Sequence, residues 1–132
     1  MNNYFVILAA GKSKRFHKNL DKQFHIYKNK EIIEHSIEKS YDVTKETLIS
    51  LFEQIDSFNI YLPGTVLKPS MVISGNENNN RADYEQVAQK TIECLKNCLP
   101  PELAGVAFLS GGQTDDESTN HLNLMIFLSN VR

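Results

Sequence analysis

Apolar residues follow two spacings along the chain: short unbroken runs, and stretches in which they return every three or four positions. The first spacing marks buried strands and the second amphipathic helices. Residues 4–8, "YFVIL", predict a short strand ending in "AAG", followed by a basic loop from Lys12 to about Lys30. "EIIEHSIEKS" places Ile32, Ile33, Ser36 and Ile37 on one side and predicts a helix over 31–39. "DVTKETLISLFEQIDSF" does the same with Leu48, Leu51, Phe52 and Ile55, predicting a second helix over 44–56. A strand follows over 58–68, interrupted at Pro63-Gly64, and then a loop of Pro, Ser, Gly and Asn over 69–81. "ADYEQVAQKTIECLKNCL" reads as a helix over 82–98, with Tyr84, Val87, Ala88, Thr91, Ile92 and Leu95 on one face. Pro100-Pro101 stop it. "GVAFLSGG" gives a third strand over 105–109, and Thr114 with Glu117 forms a capping box for a helix over 115–124.

Strands that alternate with helices predict an α/β fold: a small parallel sheet of about three strands, flanked by helices and joined by right-handed crossovers. The strands at 58–68 and 105–109 should be adjacent and parallel. One residue disturbs this pattern. Lys68 stands among β-branched and apolar residues in "YLPGTVLKPSMVISG", where burying an ammonium is costly unless it is paired or neutral.

Composition narrows the function classes. The 132 residues suffice for one domain with a modest core, and the net charge of −2 is ordinary for a soluble chain. No apolar run approaches the roughly 18–20 residues of a membrane span, and the N-terminus lacks a basic, long-apolar secretory pattern. The expected location is cytoplasmic, with no membrane and no nucleic acid as partner. Cys94 and Cys98, four apart on a helix, are expected to be reduced small hydrophobes. The four histidines show no metal spacing. Charge is unevenly spread: residues 1–40 carry eight Lys/Arg against four Asp/Glu, and residues 41–132 carry six against twelve. A phosphate-binding segment joined to an unrelated acidic one accounts for that split.

Two resemblances match the split, dividing the chain into residues 1–40 and 41–132. "VILAAGKSKRF", then "DKQF" and "EIIEHSI", resemble the start of the 2-C-methyl-D-erythritol 4-phosphate cytidylyltransferases. That resemblance implies a nucleotidyltransferase-like first strand and loop that wraps a triphosphate. Gly11, Arg15 and Lys22 would bind CTP with Mg²⁺, and Ser13 stands where the family has a second glycine. From about Tyr41 to Leu124 the chain instead resembles class I fructose-bisphosphate aldolase, through "GTVLKPSMVISG" and "GVAFLSGGQ". It departs at Pro63, where the family has glutamate before "GT".

The second resemblance implies the sixth and seventh units of a (β/α)₈ barrel, a partial barrel in which active sites lie at the C-terminal ends of the strands. Lys68 would form a Schiff base with the keto sugar, and an apolar wall would favour the free amine that attacks. Ser110, Gly111 and Gly112 would hold a substrate phosphate through hydroxyl and backbone N–H groups. The implied partners are sugar phosphates, fructose 1,6-bisphosphate and dihydroxyacetone phosphate, with no metal and no cofactor. The acid–base groups of that reaction lie on other strands, so these residues alone should not cleave the sugar at a useful rate. A sheet of two or three strands also leaves edges and apolar surface uncovered, which predicts self-association. The remaining reading is a non-catalytic fusion product of two partial sequences.

Overall fold

The computed structural model describes residues 5–9, 34–75 and 81–130, with side chains described over 36–75 and 81–129. Seven elements follow one another: β1 (Phe5–Ala9), α1 (Glu34–Ser57), a 3₁₀ turn (Leu62–Gly64), β2 (Thr65–Pro69), α2 (Tyr84–Cys98), β3 (Gly105–Val106) and α3 (Asp115–Asn130). The sheet is parallel throughout, in the order β1–β2–β3. Its registers pair Leu8 with Lys68 and Leu67 with Val106. The expected adjacency of the second and third strands is therefore present.

Several boundaries differ from the sequence expectation. The third strand, expected over 105–109, is a strand only at Gly105–Val106, and the residues after it run on beside β2 with scattered hydrogen bonds. The two helices expected over 31–39 and 44–56 are one 24-residue helix, α1. Ser40 and Asp42 look like a helix boundary, because short polar side chains compete for backbone groups. No Pro or Gly enforces a break, however, and Tyr41 continues the buried stripe of Ile37, Leu48, Phe52 and Ile55. Tertiary burial decides it. The strand expected over 58–68 begins only at Thr65, because Pro63 has no N–H to give a ladder and sits in the 3₁₀ turn instead. The last helix runs to Asn130 rather than 124, since Met125 and Leu128 extend its inner face.

Caps and turns fix the ends. Asn59 takes a left-handed φ of 52° just past α1, and the Ile60 N–H reaches the Ile55 carbonyl at 3.2 Å. This is the wrapped C-terminus that Gly or Asn permits. Asp83 and Gln86 exchange hydrogen bonds in a capping box at the start of α2. The predicted box at α3 is also formed: the Thr114 N–H donates to Glu117 at 2.8 Å, and the Glu117 N–H to the Thr114 hydroxyl at 3.2 Å.

The core lies on one face of β2. Thr65, Leu67 and Pro69 are buried, whereas Val66 is exposed and Lys68 half-buried. Leu67 joins a single cluster with Leu48 and Phe52 of α1, Val87 and Ala88 of α2, and Met125 of α3. Beyond β2, Met71 and Val72 run buried alongside α2, where the Val72 N–H donates to the Thr91 hydroxyl at 3.0 Å. Lys90 ties α2 to α1: its ammonium lies 3.1 Å from Glu38 and over the Tyr41 ring. The hydrogen bond to Glu38 holds Lys90 above the usual lysine range. Cys94 and Cys98 are free thiols, and burial pushes Cys94 up to about 12, so it is inert.

Candidate functional site

Alternation along β2 decides where Lys68 goes. Successive strand residues point to opposite faces, so burying Leu67 and Pro69 against the helices turns Lys68 to the other face. That face is the less covered one among the described residues: Lys68 is half-buried and its neighbour Val66 is 37% exposed. The ammonium therefore escapes burial in the core, and stands one residue from the C-terminal end of its strand.

The "SGG" turn comes to the same end. After β3 the chain continues alongside β2, with the Ala107 N–H donating to the Leu67 carbonyl at 2.8 Å and the Leu109 N–H to the Pro69 carbonyl at 3.1 Å. These bonds carry residue 110 to the strand end just past Lys68. Gly111 then packs against Ser70, where an added Cβ would lie 3.3 Å from the Ser70 Cβ. Gly111 and Gly112 have φ of +62° and +88°, conformations that a side chain strains. Ser110, Gly111 and Gly112 are exposed, and their backbone N–H groups make no hydrogen bond among the described residues.

Below the turn lies a buried polar pair that the sequence reading did not single out. The Gln113 backbone N–H and side-chain amide both donate to the Ser110 carbonyl, at 3.1 and 2.7 Å. The Gln113 side-chain oxygen is hydrogen-bonded to His121 Nδ1. His121 is 4% exposed, meets the Tyr84 ring edge-on at 5.0 Å, and its Nε2 has no partner among the described residues. Burial, with Arg81 adding to it and Glu117 opposing, holds His121 below the usual histidine range. The pattern held one clue: His121 is in step with Leu124, Met125 and Leu128, so it belongs to the inner face of α3.

Glu117 is held below the usual carboxylate range by its bond from the Thr114 N–H and by Arg81, 2.7 Å away. Gly11, Arg15 and Lys22, the nucleotide-binding candidates, lie outside the described residues. A cleft of about 610 Å³ opens at the other end of β2, among Phe52, Ile55, Tyr61 and Pro63. Its only charged lining residues are Asp56 and Glu102, so it suits no anion. Among the described residues, no group of three or more His, Cys, Asp or Glu is placed to hold a metal, and no helix is long and apolar enough to cross a membrane.

Comparison with known proteins converges on one family. The family model described as "Fructose-bisphosphate aldolase class-I" matches residues 29–132. The chain is 52% identical over 97 residues to the "Probable fructose-bisphosphate aldolase class 1" of Xanthomonas axonopodis pv. citri, covering 74% of this chain and 29% of that protein. It is 42% identical over 96 residues to the fructose-bisphosphate aldolase of Dictyostelium discoideum, covering 73% and 27%. Among solved structures, the aldolase of Plasmodium falciparum, determined in complex with TRAP and a small-molecule inhibitor, superposes with a TM-score of 0.69 at 36% identity. That match covers 70% of this chain and 27% of the solved one. The chain thus spans less than a third of the length of the relatives it matches.

Proposed function

The chain belongs to the class I fructose-bisphosphate aldolase family, and from that premise we propose that Lys68 is its Schiff-base nucleophile and the Ser110–Gly111–Gly112 turn its phosphate seat. The observation that carries the reading is their meeting at one strand end, where the hydrogen bond from Leu109 to Pro69 sets the turn beside the residues that follow Lys68. The neutral amine attacks the C2 carbonyl of a ketose phosphate, and loss of water from the carbinolamine leaves an iminium. Exposed N–H groups at Gly111 and Gly112 suit the dianionic phosphate. No metal enters this chemistry.

The full lyase reaction, aldol cleavage of fructose 1,6-bisphosphate in glycolysis and gluconeogenesis, needs acid–base groups as well. Each contributes roughly 100- to 10,000-fold, and in this family they stand on other strands of the barrel. These 132 residues are proposed to trap a ketose phosphate without cleaving it. Borohydride reduction in the presence of dihydroxyacetone phosphate, read by peptide mass spectrometry, tests this. Label on the peptide holding Lys68, absent from Lys68→Arg, supports the assignment; label spread over surface lysines sinks it.

The cytidylyltransferase-like reading of residues 1–40 is a separate proposal that rests on its motifs and basic charge; the aldolase match begins at residue 29 and takes in the end of that segment, whereas Gly11, Arg15 and Lys22 precede it. It requires weak CTP binding that disappears in the double variant Arg15→Ala, Lys22→Ala. Affinity unchanged in that variant leaves only non-specific charge. Self-association through uncovered sheet edges and apolar helix faces is also proposed, and a sedimentation coefficient that stays at the monomer value across concentrations overturns it.

A further inference from the structure

Gln113 and His121 are the described residues that hold the turn from beneath, and their hydrogen-bonding roles are fixed by elimination. The Ser110 carbonyl can only accept, so the Gln113 amide nitrogen faces it. The amide oxygen then faces His121, which makes Nδ1 the donor and leaves Nε2 a bare acceptor. A neutral ring suits this site. An imidazolium would add a buried Nε2–H that has no acceptor among the described residues.

We infer that Gln113 and His121 are positioning residues for the Ser110–Gly111–Gly112 turn, holding it in its anion-ready shape while the imidazole is neutral and releasing it when the ring takes a proton. The role in ligand binding rests on the phosphate-seat reading above; the coupling between ring and turn does not.

Four groups face the imidazole. Gln113 comes from the turn, Tyr84 from the first position of α2, Arg81 from the segment before α2, and Glu117 from α3 itself. Glu117 favours the charged ring, but it is engaged by Arg81 and by the Thr114 N–H. Burial and Arg81 act against it. Protonation would therefore drive the ring outward and remove the donor that orients the Gln113 side chain. Ser110 would then keep only the Gln113 backbone bond, and Gly111 and Gly112, both at positive φ, would relax toward other conformations.

Glycine amides report this directly, because the chain has only six glycines. The full chain, labelled with ¹⁵N-glycine, is followed by NMR from about pH 7.5 to about pH 5, across the histidine range. The probe for the anion site is inorganic sulfate, which stays dianionic throughout. The expected result is that the Gly111 and Gly112 amides move with the His121 ring titration while those of Gly64, Gly75 and Gly105 stay still. Sulfate affinity should fall about tenfold over the same range. In His121→Asn, which keeps an N–H for Gln113 but cannot titrate, both glycine signals and affinity should become flat with pH. In His121→Leu the affinity should be low at every pH.

Gly111 and Gly112 amides that ignore the ring titration, that move the same way in His121→Asn, or that shift together with those of Gly64, Gly75 and Gly105 would overturn the inference. Amides that follow the ring while sulfate perturbs none of them would uphold the positioning role and sink the phosphate-seat reading instead.

Discussion

The two faces of β2 differ by a single residue step and have opposite fates. Leu67 is 1% exposed and touches the helices, whereas Val66, beside it, is 37% exposed and Lys68 is half-buried. One face builds the fold, and the other carries Lys68, the proposed nucleophile. The difference shows how a lysine can stand in an apolar run without being buried: strand alternation turns it away from the core that its neighbours make. It also predicts that stability and chemistry respond to different substitutions.

Leu67→Ala should give the largest effect. Emptying a fully buried leucine costs about 2–5 kcal/mol, whereas Val66→Ala on the open face should cost below about 1 kcal/mol. Urea midpoints of the two variants measure the contrast, and equal losses would mean that both faces are packed. Thr91→Val comes next. It leaves the Val72 N–H buried without its hydroxyl acceptor, at about 1–3 kcal/mol. A loss below about 0.5 kcal/mol would show that the segment after β2 is not pinned to α2.

The smallest effect is set by pH. The folded state holds His121 below the ordinary value of 6.5, so below that value the unfolded chain binds a proton that the folded chain resists. Stability contributed there is full above about pH 6.5 and declines as pH falls, levelling off below the folded-state value. His121's share of that slope should vanish in His121→Asn. The other three histidines titrate in both proteins, so the difference between the two curves isolates His121. A steeper acid slope in His121→Asn would contradict the sign.

The strands, the helix stripes and the Thr114–Glu117 cap were legible because each depends on local spacing. The pairing of the 58–68 and 105–109 regions followed from the alternation of strands and helices. Continuity of α1 was not legible, since "SYD" carries boundary-like polar residues and only the packing of Tyr41 overrides them. Nor was the covered face of β2: an apolar run such as "TVLKP" has no polar alternation to show which side meets the helices. Gln113 and His121 meet only because the "SGG" turn folds back over the start of α3. His121 could be placed on the inner face by its step with Met125, but its partner could not be read from spacing.

The central claim joins one lysine on the open face to one turn at its strand end. Two ketones that differ only by a phosphate, dihydroxyacetone phosphate and dihydroxyacetone, test that link most directly in competing borohydride trapping on the intact chain. The account predicts label at Lys68 with a clear preference for the phosphorylated ketone, and loss of that preference in Gly111→Ala, whose Cβ would crowd Ser70 at a positive φ. Equal labelling by the two ketones, or label centred on any lysine other than Lys68, would contradict it.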